Sequence, residues 1–144
     1  MEGKKIKGRK RHLLVDTEGF ILNCFVTSAG LSDQQGLFGI LDNSINQFPR
    51  LSKIWADSGY QGIEPKAYCQ SYQLDLEIVK RSDQNPGFKV VPRRWVVERT
   101  FAWLGRQRRL SKDYEYCLTT AEAMIYISMA RTMLRRAACA IATL

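Results

Sequence analysis

The chain has 144 residues, 45% hydrophobic and 25% charged, which suits one soluble domain with its own core and excludes a disordered or fibrous polymer. Lys and Arg number 22 against 14 acids, a net charge of +8 that favours a polyanionic partner, nucleic acid ahead of an anionic membrane. Four scattered cysteines (Cys24, Cys69, Cys117, Cys139) and one histidine, His12, argue against a zinc site and fit a reducing cytoplasm. The N-terminus shows no apolar signal region, and Arg131, Arg135 and Arg136 interrupt the apolar tail, so neither a signal peptide nor a membrane span is expected.

In chain order, residues 1–11 form a basic arm carrying Lys4, Lys5, Lys7, Arg9, Lys10 and Arg11. The runs "HLLVD" and "FILNCFVTSAG" flank a short Asp/Gly-bearing turn and predict a β-hairpin, with Asp16 as a turn residue. Residues 31–49 predict a helix capped by Ser32 or Asp33 and stopped by Pro49. A short strand in "KIWADSGYQG" follows, then a helix over 62–73, a strand in "LDLEIVKR" and a polar loop over 82–92. Helices over 93–104 and about 119–138 end the chain. The order β-β-α-β-α-β-α-α predicts one mixed α/β domain over 1–144, with a core at 12–118 and a C-terminal helix at 119–144.

Two carboxylates stand out. Asp57 ends an apolar strand and precedes Ser58 and Gly59, where a ligand could approach, although Asp before Gly is also ordinary turn chemistry. Glu98 is the one acid in "RRWVVERTFAWLGRQRR", among six arginines. At 3.6 residues per turn it shares a stripe with Arg94, Ala102, Gly105 and Arg109, beside a core face expected at Val97, Phe101 and Leu104. An Arg94–Glu98 pair on a solvated face would explain the same spacing. Trp95 and Trp103 are expected to be packing residues. Carboxylates ringed by arginines suit Mg²⁺ held against a phosphodiester, with Arg93, Arg94, Arg99, Arg106, Arg108 and Arg109 on the phosphates.

The segments "GKKIKGRKRHLLVDTEGF", "WADSGYQG", "PRRWVVERTFAWLGRQRRLSKDYEY" and "AMIYISMARTMLRR" together resemble the C-terminal part of a bacterial insertion-sequence transposase of the DDE type, in the IS-four/IS-five group. That resemblance implies an RNase H-like fold, a mixed sheet flanked by helices, here lacking its first strand. It implies an Asp-Asp-Glu set that uses Mg²⁺ (or Mn²⁺) to cut and rejoin transposon ends. Asp57 matches the second Asp, Glu98 the Glu, and Arg94 the Arg four residues before it. In the family's Y-x2-R-x3-E-x6-K pattern, Val91 stands at the Tyr position and Gly105 at the Lys position, with Arg106 adjacent. No residue matches the first Asp, so the isolated chain is expected to bind DNA without cutting it. The implied partners are DNA, both transposon ends and target, and either a second copy of the chain or an upstream reading-frame product. The implied location is the bacterial cytoplasm. The alternative is a catalytically dead, truncated DNA-binding remnant that interferes with an intact transposase. An RNA-associated protein is a weaker third reading, lacking RNP-like or KH-type signatures.

Overall fold

A computed structural model of the protein describes residues 8–79 and 93–143, apart from the side chain of Arg94. The expected order is kept: β1 (Arg9–Val15), β2 (Ile21–Ser28), α1 (Asp33–Asp42), β3 (Lys53–Ala56), α2 (Ile63–Ser71), β4 (Asp75–Ile78), α3 (Arg94–Gly105) and α4 (Leu118–Ala142). Single 3-10 turns lie at Ser58–Tyr60 and Arg108–Leu110.

β1 and β2 pair antiparallel. The Asp16 Oδ1 closes their turn by accepting the N–H groups of Glu18 and Phe20, each at 2.9 Å, and Gly19 supplies the left-handed conformation at φ +87°. Asp16 is thus a turn residue, as its neighbours suggested. Period-two alternation gives the hairpin two working faces. His12, Leu14, Asn23, Phe25 and Thr27 face α1, whereas Leu13, Cys24 and Val26 face α3 and α4. Gly36 and Gly39, three residues apart on α1, let that helix lie close. A Cβ on Gly36 would stand 2.2 Å from the His12 ring, and one on Gly39 would stand 2.4 Å from Phe25.

The core is accordingly split by the hairpin. One cluster joins Leu14 to Leu37, Ile40, Leu41, Ile54, Cys69 and Leu74. The other joins Cys24 and Val26 to Leu104, Leu110, Ala121 and Ile125. Asn23 ties the two together: its amide donates to the Ile40 carbonyl and Ser44 Oγ, and its Oδ1 accepts from the Tyr126 hydroxyl at 2.6 Å.

Three expectations are corrected. First, the strands do not merge into one mixed sheet: β1–β2 is one antiparallel pair and β3–β4 a separate parallel pair joined through α2. Among the described residues no strand lies between β1 and β3, so nothing carries the backbone ladder across. Second, α1 stops at Asp42, well before Pro49. Asn43 caps it, and Ser44 turns inward to bond the Ile40 carbonyl. Third, Arg9, Lys10 and Arg11, expected in the basic arm, belong to β1; Lys4, Lys5 and Lys7 lie outside the described residues.

The register of α3 also differs. Its buried residues are Val96, Thr100 and Leu104, while Phe101 is 40% exposed. Thr100 is fully buried because its hydroxyl donates to the Gly19 carbonyl at 2.6 Å. A polar residue with a fixed partner displaced the expected phenylalanine from the core face. Val96 and Thr100 each lie about 200° around the helix from Glu98. Glu98 is therefore exposed on the side opposite the core rather than at its edge.

Candidate functional site

Asp57 leaves the C-terminal end of β3 and caps the 3-10 turn after it, its Oδ1 accepting the Gly59 N–H at 2.9 Å. The turn role and an exposed carboxylate coexist in one residue. Sequence alone missed its neighbour: Asp33, the first residue of α1, reaches the same turn. A Cβ on Gly59 would stand 2.8 Å from Asp33 Oδ2 and 3.1 Å from Asp57 Oδ1. Asp33 also pairs with Lys10 at 3.0 Å. Tyr60 packs beneath, its phenol pushed up to about 12 by burial and then by the two carboxylates. His12 lies between Tyr60 and Thr27, 3.1 Å from each hydroxyl. Only the tertiary approach of α1 to the β3 turn brings Asp33 here, and no local pattern in the chain signals it.

The residue before α3 reaches the same strand. Arg93 adopts a left-handed conformation (φ 71°) before the helix, uncommon outside glycine, and its guanidinium lies 3.9 Å over the Trp55 ring. Trp55 sits two residues before Asp57 on β3. The start of the helix that carries Glu98 is thus anchored to the strand that ends at Asp57. Among the described residues, no three His, Cys, Asp or Glu side chains gather where they could hold a metal.

The arginines separate into engaged and groove-lining sets. Arg9 donates to the carbonyls of Glu115 and Tyr116 at 2.7 and 2.6 Å, and Arg11 donates to those of Leu110 and Lys112 at 2.9 and 3.3 Å. Lys10 bonds the Leu31 carbonyl as well as Asp33. Arg109 pairs with Glu115 at 2.6 Å, which holds that carboxyl below its usual range. Arg99 donates to the Glu18 carbonyl and stacks between Trp95 and Trp103, 4.4 and 4.9 Å from their rings. Trp95 packs against Arg99 but stays 43% exposed, while Trp103 is partly buried. Arg108 is exposed, and Arg106 joins residues of α4 along a groove of about 570 Å³. The Arg94 side chain lies outside the described residues.

The family model described as the transposase DDE domain matches residues 2–133, which include the turn at Asp57 and all of α3. The chain belongs to this family of DDE transposases. Over 115 residues it is 30% identical to a Burkholderia cepacia protein named as a candidate transposase for insertion sequence element IS402, covering 75% of this chain and 54% of that one. Over 129 residues it is 24% identical to the Neisseria meningitidis serogroup B transposase for insertion sequence element IS1106, covering 83% and 43%. The chain spans about half the length of these curated relatives. No solved structure matches it. Among the described residues, no helix is long and apolar enough to cross a membrane.

Proposed function

We propose that the chain is the C-terminal catalytic part of a bacterial insertion-sequence transposase that cuts and rejoins transposon ends, with Asp57 and Glu98 as two of its metal-holding carboxylates. The observation that carries this reading is the family match across residues 2–133, which spans both motifs. The motifs suit the IS-four/IS-five group. Within an RNase H-like sheet, one further strand would bridge the edges of β1 and β3 that no described strand pairs. A carboxylate on that strand would join the turn at Asp57.

Hard oxygen donors suit Mg²⁺ or Mn²⁺ in kind, but in number the described carboxylates fall short of a closed set. A bound ion would polarise the phosphodiester and activate the attacking oxygen. The chain's own residues position. Asp57 is oriented by the Gly59 N–H, and Glu98 is carried on a helix whose start is anchored by Arg93 on Trp55. Arg94, Arg106 and Arg108 supply charge for phosphates on the same helix and just beyond it.

The test is Mg²⁺-dependent nicking of an end-bearing duplex by a fusion that adds an upstream strand carrying an Asp. Nicking should fall to background with Asp57→Asn or Glu98→Gln while DNA binding persists, because each change removes a metal ligand and not a phosphate contact. The unfused 144-residue chain should bind DNA without nicking it. Cleavage by the fusion that survives both substitutions would overturn the assignment.

A further inference from the structure

The groove between α3 and the outer part of α4 lies on a different side of α3 from Glu98. Its walls hold Trp103, Arg106, Arg131, Arg135 and Arg136, and no carboxylate lines it among the described residues. α4 carries a single acid, Glu122, near its inner end, where the carboxylate accepts the Val26 N–H at 2.9 Å. A solvated helix face usually mixes charge signs and offsets each cation with an acid three or four residues away. Here four guanidinium groups share one concave surface without that compensation.

Two of the four are also fixed in place. Arg136 lies 4.3 Å over Trp103 and 5.5 Å over Phe20, and Arg131 donates to the Gln107 side chain at 3.0 Å. Guanidinium groups held in this way present a preformed, planar set of donors, the geometry that recognises phosphate oxygens. Thr132 and Cys139 also line the groove. The groove begins at Arg106, eight residues after Glu98. That is about 12 Å further along the helix and about 80° around it, or three to four base steps at about 3.4 Å each.

We propose that this groove binds the phosphate backbone of nucleic acid, with Arg106, Arg131 and Arg135 contacting phosphates and Arg136 holding Trp103 as the floor. The polymer it names rests on the transposase reading, but the groove does not depend on the carboxylates. It tracks a backbone beyond the cleavage point and reads no base sequence. Affinity contributed here is electrostatic and arises from counterion release.

The experiment measures binding of the 144-residue chain to a short mixed-sequence duplex across about 50–200 mM salt. The Arg131→Gln/Arg135→Gln double variant should make the log–log salt slope shallower by about 1.8, because each lost phosphate contact removes about 0.9. The loss should be equal on unrelated duplex sequences. Arg131→Lys/Arg135→Lys should restore most of the slope. Arg50→Gln/Lys66→Gln changes the net charge equally at exposed positions outside the groove and should leave the slope near that of the parent. A Gln double variant with the parental slope and a native melt would overturn the groove alone, leaving the transposase reading in place. An equal fall in the control pair would also overturn it, since net charge would then suffice. A parent chain that binds no duplex would overturn both.

Discussion

Arg9 and Arg11 on β1 aim their guanidinium groups at the carbonyls of residues 110–116, whereas Arg106, Arg131 and Arg135 line a groove that, among the described residues, has no carboxylate in its walls. The sequence offers Arg9, Arg11 and Arg106 as DNA contacts on equal terms, and Arg131 and Arg135 only as charges that interrupt the apolar tail. The difference comes from alternation along a strand. Arg9 and Arg11 share the hairpin face that carries Cys24 and Val26, so they are drawn under the segment linking α3 to α4 and satisfy its carbonyls. Lys10, on the opposite face, is turned to Asp33. The arginines of α4 sit beyond the last buried residue, Met129, where the helix leaves the core and its side chains meet solvent. Local clustering of charge therefore says little about use, and position relative to the core says more.

The largest effect should come from removing what holds the groove wall in place. Ile125 is fully buried and anchors α4 against β2. Ile125→Ala should cost about 2–5 kcal/mol in urea unfolding. An unchanged midpoint would mean that α4 is not seated on the hairpin. Next, Arg11→Met should cost about 1.5–3 kcal/mol, because it strips a charged donor from two carbonyls, and should leave the DNA salt slope alone. The opposite outcome, native stability with a shallower slope, would move the β1 arginines into the DNA-binding set. Trp95→Ala should cost only about 0.5–1 kcal/mol, the scale of an exposed cation–π contact, in the same unfolding assay. A loss of several kcal/mol would mean that Trp95 packs as deeply as a fully buried aromatic.

The smallest effect is pH-dependent and belongs to the α1 face of the same strand. Burial lowers the His12 pKa from its ordinary 6.5, with Asp33 pulling it partly back. The fold therefore favours the neutral ring. The unfolded chain takes up the proton first as pH falls, so stability should be full above about 6.5 and decline below it, down through the lowered native value. Urea midpoints between neutral and mildly acidic pH should show this decline in the parent and a flatter profile in His12→Gln. Identical profiles would mean that His12 titrates alike in both states.

Much of the fold was legible because its signals are local. The Asp16 turn, the Ser32 cap of α1 and the order of all eight main elements follow from side-chain chemistry within a few residues. Phe101 was expected on the core face because hydrophobicity ranks it above Thr100, while the Gly19 carbonyl that rewards Thr100's burial lies 81 residues away in sequence. Arg93 gave no sign that it would cross to Trp55, and Asp33 gave none that it would stand beside Asp57. The expected strand end and helix carry Asp57 and Glu98, but the approach of Arg93 to Trp55, which ties the start of that helix to the strand, is tertiary information that periodicity does not hold.

The proposed function can be tested most directly at Asp57 and Glu98. Crystals of the strand-extended fusion bound to an end duplex and soaked in Mn²⁺ would show by anomalous scattering where the ion sits. The expected result is a peak within about 2.0–2.4 Å of carboxylate oxygens from both Asp57 and Glu98, lost in Glu98→Gln. A peak held by Asp57 and Asp33 with Glu98 remote from it would contradict the assignment.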